Sequence, residues 1–112
     1  MIVRSAILEG TVRPEDQGRF DAFIADHIVA LMQQFPGVRG IRVLRAETIE
    51  DDGPSLYMTF ESTYDSIDAM NEAFKSPVRQ ALRDRMKEIF PLFNGRLFHI
   101  NQQVIADVKL ST

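Results

Sequence analysis

The chain has 112 residues, no cysteine and no tryptophan, and 13 basic against 16 acidic side chains, for a formal net charge of −3. A single domain of this length buries close to two thirds of its unfolded surface, enough for an ordinary core without staples. The missing cysteines exclude disulfides, Cys-ligated zinc and thiol nucleophiles, and the acidic balance argues against nucleic acid as a partner.

The first element is MIVRSAILEGTV, short and rich in branched residues, which predicts a strand ended by the Arg13-Pro14 step. MIVRSAILEG holds no apolar signal core and reads as mature structure. Pro14, Glu15 and Asp16 open a helix, with proline in the first turn and acids at the positive end of the dipole. That helix is expected to run to about Gln34, where Phe35-Pro36-Gly37 ends it.

VRGIRVLRAETI predicts a second strand, the Asp51-Asp52-Gly53-Pro54 cluster a turn, and SLYMTFES a third strand in hairpin relation to the second. Ser62 and Thr63 then supply capping chemistry for a second helix carrying Ile67, Met70 and Phe74 on one face. Ser76-Pro77 breaks and restarts it, because proline lacks the amide proton and clashes with the preceding turn. Pro91 stops the restarted helix, and Asn94-Gly95 leads into a last strand, RLFHINQQVIADV. The order β-α-β-β-α-β is that of a ferredoxin-like α+β domain with a four-stranded antiparallel sheet, one domain over residues 1–112. No apolar run approaches the ~20 residues of a bilayer span, so no membrane partner is expected, and the cysteine-free composition fits the cytoplasm.

Alternation assigns the faces of the strands. Leu56, Met58 and Phe60 of strand three, Ile41 and Val43 of strand two, and Phe98 and Ile100 of strand four form the apolar set expected beneath the helices. The other face carries Arg42, Leu44, Tyr57, Thr59, Leu97, His99 and Asn101, too apolar for a sheet surface left open to water. Both helices are needed on the first face, so a second copy of the chain is expected to cover this one. The apolar tail after Gln103 is expected to extend onto that partner.

In the first helix Phe20, Phe23, Ile24, His27, Ile28, Leu31, Met32 and Phe35 recur at spacings of three and four, which aims the His27 imidazole at the sheet. A histidine there either bonds a core carbonyl or hydroxyl, or works in an apolar ligand pocket as acid-base or orienting group. Phe23, Met58, Phe60, Phe74 and Phe98 are expected to converge near it, as plain core or as the wall of a pocket for a small apolar or aromatic ligand. No metal site is expected: His27 and His99 should lie on opposite sides of the sheet, and neither a phosphate loop nor a G-x-S-x-G turn is present.

Three stretches carry a resemblance. Pro36-Gly-Val-Arg-Gly-Ile-Arg-Val leads from the first helix into strand two, Phe60-Glu-Ser opens the second helix, and Ala73-Phe-Lys-Ser-Pro-Val-Arg breaks it. Together they resemble the dimeric α+β barrel superfamily, EthD-like and stress-responsive A/B-barrel proteins in particular, over nearly the whole chain. The resemblance implies a homodimer with a site between sheet and helices, and His27 matches the histidine that EthD-like proteins carry in their first helix. It further implies a small cofactor-independent enzyme of oxygenase, isomerase or decarboxylase type, acting on an aromatic or lactone-like metabolite with His27 as catalytic group. The alternative is a non-enzymatic small-molecule-binding or stress-associated dimer. A regulatory or RNA-binding module fits less well, since SLYMTFES lacks the basic and aromatic pattern that stacks bases.

Overall fold

The computed structural model describes residues 1–111. β1 (Ile2–Val12) leads into α1 (Pro14–Phe23), which passes through a π-helical turn (Ile24–Ile28) into α2 (Val29–Met32). β2 (Gly40–Arg45) and β3 (Leu56–Tyr64) form a hairpin; α3 (Ile67–Ala73), α4 (Val78–Ile89) and a 3-10 turn (Phe90–Leu92) follow, then β4 (Phe93–Gln103). The strands are antiparallel in the order β2-β3-β1-β4, so the domain is the expected ferredoxin-like α+β fold. Among the described residues no helix is long and apolar enough to cross a membrane.

Local chemistry accounts for most boundaries. Pro14 stands in the first turn of α1 with Glu15 and Asp16, and Gly37 at φ 80° turns the chain out of the helical layer. The Ser76-Pro77 step does separate two helices, α3 and α4, and Ser76 Oγ accepts from the Val78 N–H at 3.3 Å. The cap of α3 falls later than expected. β3 runs on through Tyr64, taking Ser62 and Thr63 into the sheet, and it is Ser66 whose side chain accepts from the Ala69 N–H.

The first helix also departs from regular spacing. Its fully inward residues are Phe20, Ile24, Ile28 and Met32, every fourth position. In a uniform α-helix a strict four-residue stripe drifts round the axis; a π turn holds more residues per turn and straightens it. The widened turn carries Phe23 and His27 off the inward stripe, and both are half-buried. His27 therefore does not point at the sheet. It sits on the seam with α4, where an Arg85 guanidinium nitrogen lies 3.1 Å from Nδ1. The Phe23 ring packs 4.9 Å from the imidazole, and the same Arg85 lies over its face.

Register settles the strand faces, because residues directly opposite in a sheet point the same way. Arg4, Ala6 and Leu8 of β1 face the helices; opposite them stand Ser62, Phe60 and Met58 on β3, and Asn101, His99 and Leu97 on β4. The expected assignment of β4 is thus inverted. Leu97, His99 and Asn101 lie beneath the helices, while Phe98, opposite Ile7, and Ile100, opposite Ser5, look outward. His99 and His27 consequently lie on the same side of the sheet.

Tyr57 is the second correction. The pairing of β1 with β3 slips between Leu8 and Glu9, which face Met58 and Leu56. A bulge of this kind puts consecutive side chains on one side, so Tyr57 joins Met58 beneath the helices and is 7 % exposed. Its ring meets Phe20 edge-on at 5.6 Å, and its hydroxyl donates to Asp21 Oδ1 at 2.6 Å. Arg45 closes the network with 2.8 Å to Asp21 Oδ2, tying α1 to the edge of the sheet. Burial and the Asp21 carboxylate push the phenol well above its ordinary pKa, so it stays a donor.

Candidate active site

The space between sheet and helices is filled by packed side chains at the α1 end and left open at the other. There a cavity of about 420 Å³ lies over β1, β3 and β4 and under α2 and α4. The volume is within the range of small-ligand sites. Ala6, Phe60 and Leu97 form its floor; Ile28, Met32, Leu82 and Met86 close it from the helices. Phe74 stands at the end wall, packed edge-on against Phe35 and Tyr64 at ring distances of 5.4 and 5.9 Å.

Polar groups enter from two sides. From the sheet come Arg4, Ser62, Tyr64 and His99; from α4 come Arg79, Arg83 and Lys87. Arg79 and Arg83 are four apart on α4, flanking Leu82, so one turn delivers both cations and an apolar contact to the same cavity. Arg4 donates to Asn101 Oδ1 across the β1–β4 pair at 3.1 Å.

Two of these groups are tuned by the site. His99 is exposed in the single chain, but partial desolvation by the residues around it holds the imidazole below its ordinary pKa, and the positive charges of Arg4, Arg79 and Arg83 push the same way. It is therefore neutral at physiological pH, with one ring nitrogen free to take a proton. The Tyr64 side chain is 0 % exposed and its hydroxyl has no hydrogen-bond partner in the structure. Burial raises its pKa, with weaker opposing pulls from Ser62 and Arg4, so it presents an intact O–H. A buried hydroxyl without a partner costs ~1–3 kcal/mol unless a water or ligand satisfies it. Chemically, the site offers a neutral imidazole and several cations over an apolar floor.

The residues expected to form the site divide. Phe60 and Phe74 line the cavity. Met58 is buried in the core beside Leu8, off the cavity wall. Phe23 and His27 stand on the helix seam described above, outside the lining, and Phe98 is on the opposite face of the sheet, with Arg96 stacked on its ring at 4.9 Å. The polar residues of the cavity were not anticipated. For Arg79 and Arg83 a signal exists in the sequence, the helical spacing they share with Leu82 and Met86. For His99 and Arg4 there is none without the register of β4 on β1. Among the described residues no three His, Cys, Asp or Glu side chains come together as a metal site.

No family model matches the sequence, and no curated protein matches it. Solved structures do match in fold. An EthD family protein from Bacillus halodurans superposes with a TM-score of 0.73 at 23 % identity, covering 94 % of this chain and all of that one. SnoaB, a cofactor-independent oxygenase from Streptomyces nogalater, gives 0.63 at 15 % identity over 96 % of this chain and 95 % of its own. A Deinococcus radiodurans protein, proposed to be an antibiotic biosynthesis monooxygenase, gives 0.65 at 14 % identity with both chains covered in full. The structural neighbours are thus EthD-family and antibiotic-biosynthesis-monooxygenase proteins, and the likeness is one of fold.

Proposed function

We propose that the protein is a small cofactor-independent enzyme whose chemistry begins with removal of a proton from an aromatic, enolisable metabolite. The observation that carries this reading is His99, a histidine on the wall of a cavity with an apolar floor, exposed in the single chain and kept neutral by partial desolvation and three arginines. An imidazole in that state stands in its free-base form at neutral pH, though as a weaker base than an unperturbed histidine, and the cations that keep it neutral also favour the enolate or phenolate left behind. Oxygenation by O2, isomerisation and decarboxylation all pass through such an anion. The fold likeness to SnoaB makes oxygenation the reading we favour. His27, on the helix seam, orients α4 through Arg85 and takes no part in the chemistry. The active form in this proposal is a cytoplasmic homodimer paired through the open face of the sheet.

The test is deuterium exchange at the enolisable carbon of a panel of aromatic ketones in D2O, with oxygen uptake followed in parallel. The protein should accelerate exchange of at least one member, and His99→Ala should slow it by about a hundredfold or more, the usual worth of a positioned base. His27→Ala should leave the rate near that of the parent. Exchange no faster than in buffer across the panel, or full activity in His99→Ala, rules this proposal out. Loss with His27→Ala alone would return the catalytic role to the first helix.

A further inference from the structure

The charge of the cavity is one-sided. Among the described residues its lining holds Arg4, Arg79, Arg83, Lys87 and His99 and no carboxylate, in a chain whose acids outnumber its bases. Arg13, Arg39, Arg42, Arg45, Arg85 and Arg96 each have a carboxylate partner. Among the described residues Arg4, Arg19, Arg79 and Arg83 have none, and all of these but Arg19 line the cavity. Arg4 and Arg79 lie over the same Phe74 ring, their guanidinium carbons 4.7 and 5.0 Å from its centroid. Both are half-buried, and a guanidinium cannot relieve the repulsion by losing its proton. Stacking on Phe74 and the Asn101 oxygen offset part of the cost. An anion between the two forks would offset the rest, and a carboxylate matches their planar geometry.

We infer that the ligand of this cavity is an aromatic carboxylic acid, its carboxylate held by Arg4 and Arg79, its ring against Phe60 and Leu97. This rests on reading the cavity as the substrate site, and it narrows the substrate from an aromatic metabolite to an acidic one. The exposed Arg83 and Lys87 at the rim draw such an anion in from solution.

Calorimetric titration with 2-naphthoate and its neutral isostere 2-naphthamide separates charge from shape. The acid should bind about tenfold tighter or more at low ionic strength, as one charge-assisted hydrogen-bond pair supplies, and added salt should narrow the gap. Arg79→Gln and Arg4→Gln should each erase the preference while amide binding persists; Arg19→Gln should change neither. Should Arg4→Gln fail to fold, Arg79→Gln, on the helix, carries the same test. Equal affinity for the two compounds overturns the assignment of an acid and leaves the cavity as a site for neutral ligands. Binding of neither overturns both this inference and the reading beneath it.

Discussion

His99 is the residue on which the proposed chemistry turns, and its ionisation is measurable without a substrate. Its folded pKa lies below the ordinary 6.5, so between those two values the unfolded chain holds the proton more tightly than the folded one. Stability contributed by neutral His99 is therefore present above pH 6.5 and is lost as pH falls through that window towards the folded pKa. Urea midpoints should decline over it in the parent and much less in His99→Gln. Removing a neighbouring charge with Arg79→Gln should move the His99 resonance titration upward, towards the free value. A histidine that titrates at 6.5 or above in the parent would contradict the geometry around it. None of this was legible in the sequence, because β4 presents two half-apolar faces. Phe98 and Ile100 look more hydrophobic than Leu97, His99 and Asn101, and hydrophobicity alone selects the wrong set for the helices.

At the scale of elements, the helix starts and breaks follow from local residues. Ser66 accepts from the Ala69 N–H at 3.0 Å and holds the first turn of α3, a helix of seven residues. Ser66→Ala should cost about 1 kcal/mol of unfolding free energy in denaturant titration. Thr63, in the strand, should show no such capping loss. The Ser76-Pro77 break and the β-α-β-β-α-β order were legible for the same reason, since proline chemistry and the switch of period act over a few residues. The π turn at Ile24–Ile28 was not. Spacings of three and four describe an ordinary helix equally well, and only the burial of Phe20, Ile24, Ile28 and Met32 distinguishes the two. The bulge at Tyr57 escaped for a related reason: alternation assumes a register without slips.

For the whole molecule, the question is what lies against the open face of the sheet. Its apolar members are Val3, Ile7, Leu44, Phe98 and Ile100, with Leu44 41 % and Ile100 39 % exposed in the single chain. Ile105, Val108 and Leu110 continue past β4, all exposed. A second copy would bury the face and the tail together, with the same surface on both partners. Light scattering at micromolar concentration should return twice the 12.8 kDa of the chain. Ile100→Glu should return the single mass, because a charge in the centre of a paired face is left without water. A parent that runs at 12.8 kDa would refute the pairing. The sequence pointed to an uncovered face but misread which residues of β3 and β4 make it up. Both sides of β4 carry large apolar residues, Leu97 on one and Phe98 and Ile100 on the other, so hydrophobicity gives little contrast between them.

The wide turn in the first helix has a consequence for how such a domain can diversify. One half of the helix, through Phe20, is locked to Tyr57 and the sheet edge; the other, through Ile28 and Met32, is cavity wall. With a looser turn between them, the two halves need not share one axial rotation. Substitutions at Ile28 or Met32 can reshape the chamber while the Phe20 anchorage keeps its fit. The helix behaves as a fixed jaw and an adjustable one, so a lineage could exchange one ligand for another without refounding its core.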